Sequence, residues 1–131
     1  MSALKSDDTF RLITQYLATG EGAANVKKVA AVFQFDILEK KGGKPVKTWT
    51  IDMKNGNGHC KEGKPEQYDA LFTMVDGDFV AVTNGKLNPQ MAFIQGKMKI
   101  KGNMKKATAF TPELFPKPTP ENIQKYAKAK F

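Results

Sequence analysis

Apolar and polar positions in this chain change period several times, and each change marks an element. Phe10, Ile13 and Leu17 recur at helical spacing, with Leu12 and Tyr16 beside them, and Ser6 stands where an N-cap is expected. Gly20 and Gly22 interrupt that face, and Ala23–Val29 reads as a short second helix or as an approach to a sheet. The period then becomes two. Phe33, Phe35 and Ile37 alternate with Gln34, Asp36 and Leu38, and a KKGGKP turn follows over Lys40–Pro45. Thr48–Met53 sets Trp49, Ile51 and Met53 against Thr48, Thr50 and Asp52, and the Asn-Gly pairs at 55–58 predict a hairpin into a short strand near His59–Glu62. Ala70, Phe72 and Met74 alternate with Leu71 and Thr73 in a fourth strand, and Asp76 is expected to cap a helix running through Val82 and stopping at Gly85.

Gly85–Met104 is the densest stretch. Asn88 is a good N-cap, Pro89 fits the first helical position, Met91–Gln95 make little more than a turn, and Gly96 ends it. Lys97, Lys99 and Lys101 then alternate with Met98 and Ile100, predicting a half-buried fifth strand with a cationic outer face. Beyond Ala109 four prolines (Pro112, Pro116, Pro118, Pro120) rule out one continuous helix. An extended strap is expected instead, laying Phe110, Leu114 and Phe115 on the body, before a last helix over 121–130 that begins at Thr119-Pro120-Glu121. Helices and strands are segregated rather than strictly alternating, which predicts an α+β fold with helices over one face of a mainly antiparallel sheet. Residues 1–131 are read as one domain, with 110–131 as a strap and C-terminal tail.

Charge sharpens this picture. The net charge is +8, and residues 95–131 hold nine lysines and two glutamates, hence +7 of it. A one-sided basic end points to an anionic partner: a phospholipid surface, a phosphate-bearing ligand or nucleic acid. All but one of the 21 basic residues are lysine, and without arginine forks base-specific readout is the least expected, so no nucleic-acid partner is predicted. The first ten residues lack the apolar core of a secretory signal, and the lone Cys60 fits a reducing compartment.

Catalytic chemistry is hard to assemble from these residues. The single histidine, His59, adjoins Cys60, so on a strand the two face opposite ways. Ser2 and Ser6 are the only serines, Asp76 and Asp78 suit a helix start on electrostatic grounds alone, and no metal site or cofactor is expected. The apolar inventory is more informative: nine Phe and six Met in a small domain, with Met74, Met91, Met98 and Met104 in consecutive late elements. Flexible methionine suits a surface that accommodates differently shaped apolar guests, so an apolar pocket is the ligand site this composition predicts.

The chain also resembles the sterol carrier protein 2 family, a small domain associated with non-specific lipid transfer. The resemblance rests on WTIDMKNGNG (Trp49–Gly58), DGDFVAVTNGKLNPQMAF (Asp76–Phe93) and above all FIQGKMKIKGNMKKA (Phe93–Ala107), while FTPELFPKP (Phe110–Pro118) is similar to plant-type members. It covers residues 6–110. It implies a five-stranded sheet covered by helices, an elongated apolar tunnel and no enzymatic activity. The implied ligands are fatty acids, fatty acyl-CoAs, sterols and phospholipids. The implied lining is Trp49, Ile51, Phe72, Met74, Phe79, Val82, Phe93, Ile94, Met98, Ile100 and Met104, with Gln95 as a polar group at the mouth; Phe33, Phe35, Met91, Phe110 and Phe115 complete the expected set. Lys97, Lys99, Lys101, Lys105 and Lys106 are expected to meet a head group or an anionic membrane.

The ending Ala129-Lys130-Phe131 is similar to a peroxisomal Ser-Lys-Leu signal except at its last residue. Peroxisomal location through an import receptor is therefore expected, and otherwise a cytoplasmic one. The second functional reading is an accessory module that presents acyl-CoA to peroxisomal β-oxidation enzymes.

Overall fold

The computed structural model describes residues 4–127. Helix α1 (Lys5–Ala18) and helix α2 (Ala23–Val29) precede strands β1 (Ala31–Leu38), β2 (Pro45–Met53), β3 (His59–Glu62) and β4 (Ala70–Val75). Helices α3 (Asp76–Thr83) and α4 (Pro89–Ile94) lead to strand β5 (Met98–Gly102), and helix α5 (Met104–Ala107), a 3-10 turn (Pro112–Leu114) and helix α6 (Pro120–Ala127) follow. Of the expected peroxisomal signal, Ala129, Lys130 and Phe131 lie outside the described residues.

The five strands form one sheet in the order β3-β2-β1-β4-β5. β1 is central, antiparallel to β2 and parallel to β4; the remaining pairs are antiparallel. The fold is therefore α+β on a mixed, mostly antiparallel sheet. Period-two patterning assigns the faces as expected. Phe35 lies between Trp49 and Phe72, and Phe72 between Phe35 and Ile100, all toward the helices. Gln34, Asp36, Thr48 and Thr50 take the other face. There Asp36 Oδ1 accepts from Gln34 Nε2 at 2.9 Å and from Thr48 Oγ1 at 3.0 Å.

The core lies between the sheet and α1, α3 and the strap. Phe10 of α1 stacks between Trp49 (centroids 4.6 Å apart) and Phe79 (4.3 Å), and Phe110 from the strap packs against Phe33, Phe35 and Phe72 at 5.0–5.8 Å. α6 rests on α1, with Tyr126 edge-on to Tyr16 at 5.6 Å.

Two expected caps are corrected. Ser6 lies inside the first turn of α1, whose N-cap is Leu4, and Asp76 is the first residue of α3 rather than its cap, because Val75 holds the extended cap conformation. The Asp76 carboxylate instead reaches α1 and accepts from the backbone N–H groups of Lys5 and Ser6, both at 2.8 Å. One carboxylate thus satisfies two orphan donors of a helix 70 residues away and ties α1 to the β4–α3 junction.

Asp52, at the end of β2, holds the turn that sends the chain into β3. Burial pushes its pKa up, but the Asn55 side chain (2.8 Å), the backbone N–H groups of Asn55 (2.9 Å) and Lys54 (2.8 Å) and nearby His59 outweigh that and hold it below its ordinary value.

Removing the interhelical cap should cost stability. Asp76→Ala is expected to lose about 1–2 kcal/mol, read as a lowered urea midpoint with an unchanged slope. A depressed folded-state pKa stabilises the fold fully above the unfolded value of about 3.9 and loses that contribution as pH falls through the folded value. Asp52→Asn should therefore be less stable than the parent at neutral pH, with the two curves converging under acid. Parallel curves would show that Asp52 carries no such linkage.

Candidate functional site

A cleft of about 830 Å³ opens where the aromatic core stops, bounded by α4, β5, α5 and the strap. Its floor is sheet and core: Phe72, Met98 and Ile100 from β4 and β5, closed by Phe110 and Phe115 from the strap. Leu87 and Pro89 supply the approach to α4, and Phe93, Ile94 and Met104 form the rim. Phe72, Met98, Phe110 and Phe115 are buried and Ile100 is half-buried, whereas Ile94 is 73% exposed, Phe93 45% and Met104 44%. An apolar trough with an apolar lip is thus half-open to solvent.

Local sequence explains this shape. Asn88 Oδ1 accepts from the N–H groups of Gln90 (2.8 Å) and Met91 (3.3 Å), so α4 starts as expected. The helix is only six residues long, and Ala92 is its one buried side chain. Its larger apolar residues consequently face the cleft and the solvent. α5 is launched by Asn103, whose side chain accepts from the N–H of Lys106 at 3.0 Å. The strap then crosses as a single 3-10 turn, because its prolines forbid more.

Of the expected lining, Phe72, Phe93, Ile94, Met98, Ile100, Met104, Phe110 and Phe115 come together at this cleft. Phe33, Phe35, Trp49, Ile51, Met74, Phe79 and Val82 do not: they sit in the packed core, none more than 7% exposed. For Phe35, Trp49 and Phe79 the neighbour is Phe10, which packs against all three. Met91 points to solvent off the cleft, and Gln95 is the exposed C-cap of α4 rather than a lining group.

Among the lysines, Lys99 and Lys101 flank a smaller hollow of about 560 Å³ along β5, with Asp36 and Thr73. Lys97 and Lys105 are exposed. Lys106 is engaged structurally, donating to the Ala30 carbonyl at 3.0 Å, where it satisfies the end of α2.

Sequence reasoning missed the polar part of the cleft. Asn88 and Gln90 line it on the α4 side, and Thr108, Thr111, Glu113 and Lys117 on the strap side. The signal lies in the strap itself, where Thr111, Glu113 and Lys117 are interleaved with the apolar residues Phe110, Leu114 and Phe115. Glu113 and Lys117 give the rim one charge of each sign, so the cleft itself carries no strong preference for a charged head group.

Nucleophilic chemistry gains no support at Cys60. Burial pushes its thiol pKa up to about 12 against a hydrogen bond with Thr14 that lowers it, and Sγ donates to the Phe10 carbonyl at 3.8 Å. His59 is exposed and lies 3.8 Å from Asp52. Among the described residues no group of three or more His, Cys, Asp or Glu is placed to hold a metal, and no helix is long and apolar enough to cross a membrane.

The SCP-2 sterol transfer family matches residues 11–114. The chain belongs to that family. Sterol carrier protein 2 of Arabidopsis thaliana is 44% identical over 118 residues, which span 88% of this chain and 94% of that protein. Animal sterol carrier protein 2 sequences are matched over only 15–19% of their length. Among solved structures, sterol carrier protein 2 of Yarrowia lipolytica in its apo form is similar with a TM-score of 0.73 at 30% identity, over 95% of each chain. Sterol carrier protein 2 of Aedes aegypti in complex with palmitate is similar with a TM-score of 0.61 at 28% identity, over 86% of this chain and 96% of that one. The α+β architecture and the family expected from the sequence motifs are thus both supported, and the apolar space lies among the elements that carry the FIQGKMKIKGNM stretch.

The Cys60 environment is directly testable. The folded protein should resist iodoacetamide at neutral pH and react once denatured, followed by mass spectrometry; rapid alkylation of the native chain would contradict the buried, protonated thiol.

Proposed function

We propose that this chain is a non-enzymatic lipid carrier that takes an acyl chain into the cleft between α4, β5, α5 and the strap. The observation that carries the reading is the cleft itself: roughly 830 Å³, apolar in its floor and lip, in a fold shared with a palmitate-bound relative. Its size falls within the range of about 300–1,000 Å³ typical of small-molecule sites. Each buried CH₂ contributes about 0.8 kcal/mol, so a sixteen-carbon chain brings on the order of 10 kcal/mol before ordering costs. Affinity then follows chain length more than head group, consistent with a rim whose two charges oppose each other. Fatty acids fit this reading best, and acyl-CoAs, sterols and phospholipids share the same apolar requirement. Contact with an anionic membrane through the exposed lysines is the second half of the proposal. Nothing in the geometry favours the alternative of a module that presents acyl-CoA to β-oxidation enzymes.

Native mass spectrometry of the purified chain, with extraction of co-purified lipid and titration by a fluorescent fatty acid, tests the carrier reading. One bound lipid per chain is expected; an empty protein that also fails to bind the probe would overturn it. Ile94→Asp places a charge on the lip at a largely exposed position. It should weaken fatty-acid binding by roughly tenfold or more while leaving the melting temperature nearly unchanged.

A further inference from the structure

Large apolar side chains are exposed at six positions in the described structure, and four of them, Met91, Phe93, Ile94 and Met104, lie on α4 and at the start of α5. A six-residue helix with three such side chains in solvent is not explained by core packing, because only its Ala92 is buried. The charge around it is equally one-sided. Residues 79–112 contain six lysines and no acidic residue. Lys106 is engaged with Ala30, but Lys97, Lys99, Lys101 and Lys105 are exposed, and among the described residues none of the four forms a salt bridge. Three acids lie beside this patch: Asp36, with Lys99 and Lys101 in the hollow along β5, Glu113 on the strap rim, and Asp69, whose backbone carbonyl accepts from the Asn103 N–H at 2.7 Å and whose carboxylate is taken up by the Val32 N–H at 2.8 Å.

The geometry points to the α4 ridge as a membrane-docking surface: Met91, Phe93 and Ile94, joined by Met104, enter the interface of an anionic bilayer while the surrounding lysines bind its head groups. This rests on the carrier reading and adds the surface by which the carrier meets its lipid source. Apolar side chains rimmed by lysine match the two layers of such an interface, acyl boundary and anionic head groups. A second copy of this chain would bring the same lysines against themselves and repel. Phe93, Ile94 and Met104 also form the lip of the cleft, so docking would turn its mouth to the bilayer. An acyl chain would then pass from membrane to cleft without exposing its full length to water, which removes the largest cost of transfer.

The test is co-sedimentation of the full chain with vesicles, run beside fluorescent fatty-acid binding in solution. With phosphatidylcholine vesicles containing about a third phosphatidylserine the chain should pellet, and with pure phosphatidylcholine it should largely remain in the supernatant. Met91→Glu and Lys97→Glu alter exposed side chains that do not line the cleft. Each should weaken vesicle binding on the order of tenfold, with fatty-acid affinity and melting temperature unchanged. Variants that pellet as wild type does would overturn the docking surface alone; failure of the wild-type chain to pellet would overturn it together with the membrane-contact half of the proposed function. In both cases lipid binding in the cleft would stand on its own fluorescence readout. A dimer in sedimentation analysis that Met91→Glu dissociates would also overturn the docking surface, since the ridge would then be an interface between copies. A chain that pellets as expected yet binds no fatty acid would support the docking surface and overturn the carrier reading.

Discussion

Everything in this structure is arranged around one aromatic cluster on the helix-facing side of the sheet. Phe33, Phe35 and Phe72 occupy neighbouring strands, Phe10, Trp49 and Phe79 stack beside them, and Phe110 closes the group from the strap. Phe35 and Phe72 are brought together by the parallel pairing of β1 with β4. That pairing puts the late half of the chain on the far side of β1 from β2, and so sets β5, α4 and α5 at the edge of the sheet. Each aromatic contact contributes about 0.5–1.5 kcal/mol beyond its area. Their common effect is to seal one half of the interior. The cleft is what remains at the other half, where the cluster ends at Phe72 and Phe110.

The division of labour follows from helix length. α1 is fourteen residues long, presents Phe10, Ile13 and Leu17 on one face and is anchored at its start by Asp76, so it fills the space over β1 and β2. α4 and α5 are six and four residues long and too short to cover β4 and β5 in the same way. The strap contributes two phenylalanines but no continuous helix, because of its prolines. A well-packed half supports a half left open. β5 and α5 carry lysines that the fold does not consume, Lys106 excepted.

Much of the fold was legible in the sequence because its signals are local. Strict alternation in Phe33–Ile37 and Thr48–Met53, the Asn-Gly turns, and the Asn88-Pro89 start each specify an element from adjacent residues. The motifs also identified the family. What could not be read was which end of a face stays open. Alternation places Phe35 and Phe72 on the same side of the sheet, yet does not say that Phe10 covers the first while the cleft begins at the second. Long-range caps escaped for the same reason. Asp76 precedes an apolar run, which is the pattern of a local cap, and its partners at Lys5 and Ser6 lie some 70 residues away.

The central claim is that the ligand occupies the open half of the interior and leaves the sealed half intact. Nuclear magnetic resonance of the chain titrated with carbon-13-labelled palmitate tests it most directly. Contacts from the acyl chain to Phe93, Ile94, Met98, Ile100, Met104 and Phe110 are predicted, with the signals of Phe10, Trp49 and Ile51 unmoved. Contacts to Phe10, Trp49 or Ile51 would contradict the account, because they would require the aromatic cluster to open.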